Sequence, residues 1–362
     1  MTISTREFSQ RLEESGILTP QALEELKKTV SGEVTLAVDE LSRRLVGKGT
    51  ITGYQADALQ SETAGPVRLG EYVITERIGE GGMGVVYKAR RQGQSRLVAL
   101  KLLPPELMRN ADAVRRFRRE VEAASSLSHP HIVAALDSGD DRGSHFYVME
   151  YVPGDDLADL VKAHGPLPVG TAVNCILHAA QGLQHAHAHG VTHRDVKPSN
   201  LLLDRQGNVR VLDLGLARIS RDADAAENAA TRSALTQTGA VLGTVDYMSP
   251  EQALNTRKAD HRSDVYSLGC TLGFLLTGKP PYQGETVMEV LVAHREQPIP
   301  SLRAGRADVP VRLDQIYCKC LAKKPLDRYQ SMTELVAELG SCKGEHEMTW
   351  IIQRIVSRRR TI

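Results

Sequence analysis

The chain has 362 residues, of which 41% are hydrophobic and 25% charged, and its formal net charge is +1. This balance is typical of a globular protein and excludes collagen-like, fully disordered and disulfide-scaffold classes. The near-neutral charge and an aromatic content of 4% also argue against nucleic acid as a partner, because such proteins use basic patches and aromatic stacking.

Residues 1–65 are predicted to form a small helical region that ends in a linker. Thr19 is placed to cap a helix that begins at Pro20, and a second helix is expected over residues 54–59. The segment 61–66 contains a Gly-Pro pair and is typical of a linker. The region carries no catalytic constellation, so we expect a docking or regulatory role.

The pattern changes at Tyr72 from helical to strand-like. Five strand-like runs are predicted over residues 72–78, 85–89, 97–103, 132–136 and 146–151. One helix, residues 112–127, interrupts them. Beyond Pro153 the pattern is helical, with segments predicted over residues 169–189, 260–277, 286–297, 310–321 and 331–339. Strands followed by helices predict a strand-rich lobe, a helical lobe and a ligand cleft between them.

The last segment, residues 343–362, is a basic amphipathic tail. Its apolar positions fit one helical face, and it ends in Arg358–Arg360. Two interpretations stay open, a short docking helix and a membrane-surface anchor. No stretch of 18 apolar residues predicts a spanning helix, and the charged N-terminus does not resemble a signal peptide.

The cysteines and histidines do not predict a metal site. The five cysteines are irregularly spaced, which favours reduced thiols and a cytoplasmic location. In the run His185–His189, only the first and last histidines share a helical face. No carboxylate or cysteine completes a zinc site nearby.

A glycine-rich segment, Gly79–Gly84, lies between two strand-like runs. Val85 and Val86 continue as a strand, whereas a dinucleotide-binding motif would lead into a helix. A hairpin of this kind can bring its backbone close to phosphates, as in the kinase form of the motif. A flexible hairpin turn is the alternative.

Lys101 follows Gly79 by 22 residues in a Val-Ala-Leu-Lys run that is similar to the kinase V-A-I-K strand. A solvent-facing strand position is the alternative for this lysine. On the next helix, Glu120 lies in an apolar stripe and therefore needs a cation, for which Lys101 is the candidate. Glu122 is the other carboxylate, but it lies off that face.

The segment His193–Asn200 matches the pattern H-R-D-x-x-x-x-N at every fixed position. Further ordered motifs follow: Asp213-Leu214-Gly215, Gly243-Thr244, Tyr247–Glu251, Asp264–Gly269 and Arg328. Over residues 72–339 the sequence resembles the eukaryotic-like Ser/Thr protein kinases of bacteria.

The resemblance implies an α+β, two-lobed protein kinase fold. The kinase domain would span residues 72–340, with a β-rich N-lobe over 72–152 and an α-helical C-lobe over 153–340. The implied reaction transfers the γ-phosphate of ATP to Ser or Thr hydroxyls of protein substrates, with Mg²⁺ as cofactor.

The resemblance also implies residue roles. Asp195 would accept or orient the hydroxyl proton and Lys197 would offer charge to the phosphoryl group, while Lys101 and Glu120 would pair. Asn200 and Asp213 would hold Mg²⁺, and Thr244 would position the substrate. Together with Lys101, the implied ATP-binding residues are Ile78, Gly79, Glu80, Gly81, Gly82, Met83, Gly84, Val86, Ala99, Glu150, Val152 and Leu202.

Two positions depart from the family pattern. Leu214 stands where the family has Phe, which puts the balance of active and inactive states in doubt. Ser249 stands where the family has Ala, and we expect little effect from it. Glu251 and Arg328 are expected to form a buried ion pair in the C-lobe.

The segment between Asp213 and Glu251 is long for a connection and is typical of a functional loop. Thr236 and Thr238 resemble the phosphorylated stretch of the bacterial kinases, and Arg194 could hold a phosphate there. A homodimer would allow one copy to phosphorylate the other. The alternative is a loop that is merely rich in small polar residues.

Two other functions are weighed against a protein kinase. One is a catalytically silent kinase-like scaffold, against which the intact Lys101, Asp195, Asn200 and Asp213 argue. The other is a small-molecule phosphotransferase, which the segment from Thr244 disfavours because it is of the protein-substrate type.

Overall fold

The computed structural model describes residues 3–30, 37–61, 64–81, 84–108, 111–214, 245–254 and 259–342. The chain divides into two compact units. The first unit comprises residues 1–108 and 136–151, and the second comprises residues 109–135 and 152–362. None of the helices described is long and apolar enough to cross a bilayer. The predicted tail, residues 343–362, lies outside the described residues.

The first unit begins with four short helices. They are α1 (Thr5–Ser15), α2 (Pro20–Val30), α3 (Val38–Gly47) and α4 (Gly53–Gln60). Polar caps define where three of them begin: Ser4 caps α1, Thr19 Oγ1 accepts from the amide of Ala22, as predicted, and Thr52 and Gln55 form a reciprocal capping box on α4. Phe8 and Leu41 lie in their shared apolar core, against which Val67 packs from beyond the linker.

The same unit contains a six-stranded sheet. Its strands are β1 (Arg68–Leu69), β2 (Tyr72–Gly81), β3 (Gly84–Arg91), β4 (Leu97–Leu102), β5 (Ala135–Asp141) and β6 (Ser144–Glu150), in the order β1-β2-β3-β4-β6-β5. The pairings from β1 through β4 to β6 are antiparallel. Ile74, Leu100 and Val148 are fully buried in the core of this sheet.

The second unit is mainly helical. Its helices are α5 (Ala111–Ser125), α6 (Leu157–His164), α7 (Val169–Ala188), α8 (Pro250–Leu254), α9 (Arg262–Thr277), α10 (Val287–Glu296), α11 (Val311–Cys320) and α12 (Met332–Gly340). A small antiparallel sheet contains β7 (Gly154–Asp156), β8 (Leu201–Asp204) and β9 (Val209–Val211). Helices α7 and α9 are apolar around most of their circumference, so they form the centre of the core.

Most predicted elements are present, but one strand was predicted wrongly. The apolar run 132–136 is not a strand: Ile132 forms only an isolated bridge to Val211, and β5 begins at Ala135. Ile132 and Val133 instead bury their side chains; the amide of Val133 donates to the carbonyl of Val211, and the amide of Val211 donates to the carbonyl of His131. The buried part of the run is Ile132 and Val133, and Ile132 packs in the core of the second unit.

Candidate active site

The glycine-rich segment forms the end of the β2–β3 hairpin. Gly79 pairs with Val86 and Gly81 with Gly84, while Gly82 and Met83 lie outside the described residues. Gly84 has φ 116°, and a Cβ atom there would lie 2.0 Å from the carbonyl oxygen of Leu102. Only glycine fits this close approach between β3 and β4. The predicted phosphate-binding residues Ile78, Glu80 and Gly81 lie on the same β2 segment.

Lys101 lies on β4, where it pairs in register with Val86 of β3 and Tyr147 of β6. It is only 5% exposed, which excludes the solvent-facing alternative. A buried ammonium group requires a charged or polar partner. Lys101 belongs to the first unit and Glu120, half-buried on α5, to the second, so their predicted pairing stays a prediction.

The remaining predicted ATP-binding residues are divided between the units. Ala99, buried on β4, and Glu150, at the end of β6, belong to the first. Val152 and Leu202, the latter on β8, belong to the second. Whether these residues share one nucleotide stays a prediction.

In the second unit, the predicted catalytic residues form one hydrogen-bonded group. Asp195 is 6% exposed, and its Oδ2 lies 3.0 Å from Nζ of Lys197. Asn200 donates from Nδ2 to the backbone oxygen of Asp195 at 2.8 Å and to its Oδ2 at 3.1 Å. Two residues predicted to be catalytic, Asp195 and Lys197, and one predicted Mg²⁺ ligand, Asn200, are therefore brought together around one carboxylate.

His193 connects this group to the segment that carries Asp213. Its Nε2 donates to the carbonyl of Leu212 at 2.9 Å, and its Nδ1 accepts from the amide of Asp195 at 3.2 Å. The two bonds require the neutral tautomer with the proton on Nε2. The amide of Leu212 also donates to the backbone oxygen of Asn200 at 2.9 Å. The Asp213 backbone is thus held in a defined position relative to Asp195.

Asp264, fully buried near the start of α9, anchors the catalytic loop. Its carboxylate accepts from the amide of His193 at 2.9 Å and from the amide of Arg194 at 2.7 Å, and Nε2 of His187 lies 2.7 Å from it. Burial alone would raise the pKa of this carboxyl, but these hydrogen bonds outweigh it and keep the pKa below its usual value.

Two residues of the predicted site have a left-handed backbone conformation, which Arg142 in the turn between β5 and β6 shares. Arg194 has φ 66° and Asp213 has φ 56°, in the left-handed region that non-glycine residues rarely adopt. Such conformations persist where surrounding bonds impose them, and they cluster at functional sites. Two bonds constrain the backbone of Arg194. Its amide donates to the carboxylate of Asp264, and its carbonyl oxygen accepts from Nε2 of Gln252 at 2.9 Å.

Both departures from the family pattern lie in the core. Leu214 is 4% exposed and belongs to the main apolar cluster. Ser249 is fully buried, and its hydroxyl donates to Oε1 of Gln252 at 2.9 Å. An alanine could not make this bond, so Ser249 orients the glutamine that holds Arg194, a role that the motif alone did not indicate.

The expected ion pair of Glu251 and Arg328 is confirmed. Nη1 and Nη2 of Arg328 lie 2.6 and 2.8 Å from the two carboxylate oxygens, and Arg328 is 2% exposed. Burial opposes ionisation of Glu251, but the arginine bonds prevail and lower its pKa. The predicted Thr236, Thr238 and Thr244 lie outside the described residues.

Comparison with known proteins identifies the family. Residues 72–338 match the family model described as the protein kinase domain. The chain belongs to the protein kinase family. Serine/threonine-protein kinase PknB of Mycolicibacterium smegmatis is 43% identical over 273 residues, which cover 74% of this chain and 42% of that protein. PknD of Mycobacterium tuberculosis is 39% identical over 291 residues, covering 79% and 42%.

Solved kinase structures are similar to this one. The crystal structure of the Mycobacterium tuberculosis PknI kinase domain is 30% identical, has a TM-score of 0.60 and covers 76% of this chain and 97% of its own. The structure of Rad53 1-466 in complex with AMP-PNP is 25% identical with a TM-score of 0.60, covering 74% and 64%. These matches confirm the predicted family and fold. The chain spans less than half the length of the curated relatives it matches.

Proposed function

We propose that the chain is a Ser/Thr protein kinase that transfers the γ-phosphate of ATP to protein hydroxyls. The arrangement of Lys197 and Asn200 around the Asp195 carboxylate carries the proposal. The names of PknB and PknD as serine/threonine-protein kinases support the substrate class. The AMP-PNP complex of Rad53 supports ATP as the donor.

The geometry fits phosphoryl transfer, which needs positioned groups and charge neutralisation rather than covalent chemistry. Asp195 would orient the substrate hydroxyl and take up its proton. Lys197, 3.0 Å from that carboxylate, would stabilise the negative charge of the phosphoryl group being transferred. In the first unit, Lys101 would contact the α- and β-phosphates beneath the backbone of Gly79–Gly84.

The side chains of Asn200 and Asp213 are suited to Mg²⁺. Both hydrogen bonds of the Asn200 amide use Nδ2, so its carbonyl oxygen is the atom that can ligate a metal. Oxygen ligands of this kind are those that Mg²⁺ prefers. The bound ion would neutralise phosphate charge, while the His193 and Asp264 bonds hold the ligand-bearing backbone in place.

Three further features belong to the proposal. Autophosphorylation would occur at Thr236 or Thr238, and a homodimer would allow it in trans. Protein substrates would be positioned by Thr244. We place the kinase in the cytoplasm, which is supported by the five cysteines, all of them free thiols in the described part of the chain.

The test is phosphoryl transfer by Asp195→Asn. This substitution should reduce transfer to protein by about 10²- to 10⁴-fold, because the proton acceptor is lost, and leave the Kd for ATP largely unchanged. The assay uses labelled ATP with Mg²⁺ and a generic protein substrate, and ATP binding is measured by calorimetry.

Asp159→Asn is the matched control, since this residue is exposed on α6. It should behave as wild type. Near wild-type transfer by Asp195→Asn would contradict the assignment of Asp195. Nucleotide binding without any transfer by the wild-type chain would favour the scaffold, and labelling of small molecules alone would favour the small-molecule enzyme.

A further inference from the structure

The last N-terminal helix, α4, is bonded directly to strand β2 of the kinase sheet. Thr52 Oγ1 donates to the carbonyl of Thr75 at 2.6 Å, and Gln55 Nε2 donates to the carbonyl of Ile74 at 2.6 Å. Both acceptors are consecutive backbone oxygens of β2. The helical region, predicted to be separated by a linker, is thus tied to the strand that leads into the glycine-rich segment.

These two carbonyls lie where β2 needs external support. Strand β1 pairs only with Tyr72 and Val73, and the amide of Ile74 donates to the carbonyl of Val67; beyond that bond, no strand in the described part of the chain pairs with β2 on this side. On the other side its register with β3 shifts twice, between Ile74 and Glu76 and between Arg77 and Gly79, and the first shift marks a bulge at Thr75. Bulged edge strands are where pairing is weakest and twist is greatest.

The Thr52–Gln55 pair is itself held rigidly. Gln55 is 4% exposed, and its Oε1 accepts from the amide of Thr52 at 2.9 Å while its Nε2 donates to β2. Thr52 Oγ1 accepts from the amide of Gln55 at 3.2 Å while it donates to β2. Each side chain therefore accepts a hydrogen bond that caps α4 and donates a second hydrogen bond to a carbonyl of β2.

Tyr54 extends the contact to β3, the second strand of the hairpin. Its ring centroid lies 5.8 Å from that of Tyr87, and its hydroxyl donates to the carbonyl of Pro66 at 2.9 Å. Tyr87 pairs in register with Arg77, and its neighbour Val86 pairs with Gly79. Helix α4 thus contacts both strands a few residues from the glycine-rich turn.

We propose that Thr52 and Gln55 are positioning residues for the nucleotide site. By fixing the bulge of β2, they set the place from which Gly79–Gly84 extends towards the phosphates of ATP. The proposal rests on the proposed kinase function and assigns the N-terminal helices a part in ATP affinity. Neither residue would touch the nucleotide.

Two substitutions separate the contact with β2 from the cap of α4. Gln55→Glu keeps the oxygen that accepts from Thr52 but removes the donor to Ile74, and leaves that carbonyl opposite a carboxylate. Thr52→Val keeps the side-chain shape but removes the hydroxyl, whereas Thr52→Ser retains it. Gln60→Glu is the matched control, the same change at the end of the same helix.

The experiment measures KM and kcat for ATP, and the Kd for ATP by calorimetry, on the full chain well below the Tm of each variant. Gln55→Glu and Thr52→Val should raise both KM and Kd by about 3- to 10-fold with little change in kcat, since one buried hydrogen bond is lost. Thr52→Ser and Gln60→Glu should match wild type.

Variants that lower the Tm but leave KM and Kd at wild-type values would overturn the proposal, because the pair would then serve stability alone. If Gln55→Glu does not fold, the contrast between Thr52→Val and Thr52→Ser decides the question in the same way. A wild-type chain that neither binds ATP nor transfers phosphate would overturn the proposed function itself, and this inference with it.

Discussion

Asp264 illustrates how a residue distant in sequence fixes the catalytic loop. It lies about 70 positions beyond His193 and Arg194 and accepts hydrogen bonds from both of their amides. A fully buried carboxylate is costly unless its oxygens are satisfied. Here the hydrogen bonds that offset this cost also hold Arg194 in a strained backbone conformation, so the same bonds that satisfy the buried carboxylate stabilise the geometry of the site.

His294 on α10 should make stability depend on pH. It is fully buried, accepts from the hydroxyl of Tyr266 at Nδ1, and its pKa is lowered to about 4 by burial and by nearby Lys323. The unfolded chain binds a proton near pH 6.5 and the folded chain only near pH 4. The free energy of unfolding should therefore fall by about 2–3 kcal/mol as the pH drops across that window.

Asp246 acts in the opposite direction, because burial raises its pKa to about 6. The prediction therefore concerns a difference between proteins: the unfolding free energy of His294→Gln, which keeps an acceptor for Tyr266, minus that of wild type should rise as the pH falls from 7 to 5, as measured by urea unfolding. His164→Gln, on the half-buried surface of α6, is the control. Equal slopes for His294→Gln and wild type would contradict the role of His294.

The histidines show what spacing can and cannot predict. The expectation that His185 and His189 share a face while His187 points elsewhere is confirmed. The ring centroids of His185 and His189 lie 4.4 Å apart, and His187 contacts Asp264. In the part of the chain that the structure describes, the histidines do not form a metal-binding cluster of three or more histidine, cysteine or carboxylate side chains. The bond to Asp264 could not be predicted, because it depends on tertiary packing.

At the level of elements, the hydrophobic periodicity of helices and strands predicted most of the observed helix and strand ends to within two residues. The sequence motifs located the catalytic loop. The exceptions arise from tertiary contacts. In the run 132–136, Ile132 and Val133 are buried outside any strand, and apolar residues alone cannot distinguish a strand from a buried loop. The short strands β7–β9 escaped prediction because they have only three or four residues each.

The loop between Asp213 and Glu251 should act as a phosphorylation switch. In the described residues, Nε of Arg194 is buried without a hydrogen-bond partner, and Nη2 reaches only the carbonyl of Ala259 at 3.4 Å. A phosphothreonine could satisfy this guanidinium. Incubation with Mg²⁺ and ATP should phosphorylate Thr236, Thr238 or both, and Thr236→Ala/Thr238→Ala should lower activity on a separate substrate several-fold.

Mass spectrometry of the incubated protein identifies the modified positions. The double variant Thr231→Ala/Ser233→Ala alters the same segment and should remain active, so it serves as the control. Phosphate found only at Thr231 or Ser233, together with a fully active Thr236→Ala/Thr238→Ala protein, would refute this switch.

At the scale of the molecule, the helical region combines its own core with a direct connection to the sheet. Phe8, Leu12 and Leu41 are buried among the helices, as expected for a separate module. The linker is nevertheless packed: a Cβ atom at Gly65 would lie 2.9 Å from the hydroxyls of Tyr54 and Tyr87. A Gly-Pro pair predicts a change of direction, but it does not reveal whether the connected parts touch.

A chain that starts at Val67 should fold and bind ATP, because the sheet and the helical unit retain their own apolar cores. It should lose about 2–4 kcal/mol of unfolding free energy, since the hydrogen bonds from Thr52 and Gln55 to β2, the latter fully buried, and the packing of Tyr54 are removed. Its Kd for ATP should rise as in Thr52→Val. Urea unfolding and calorimetry measure both quantities. A shortened chain without a cooperative transition would show instead that the helices are indispensable to the kinase sheet, because the bulged edge of β2 cannot remain ordered once α4 is absent.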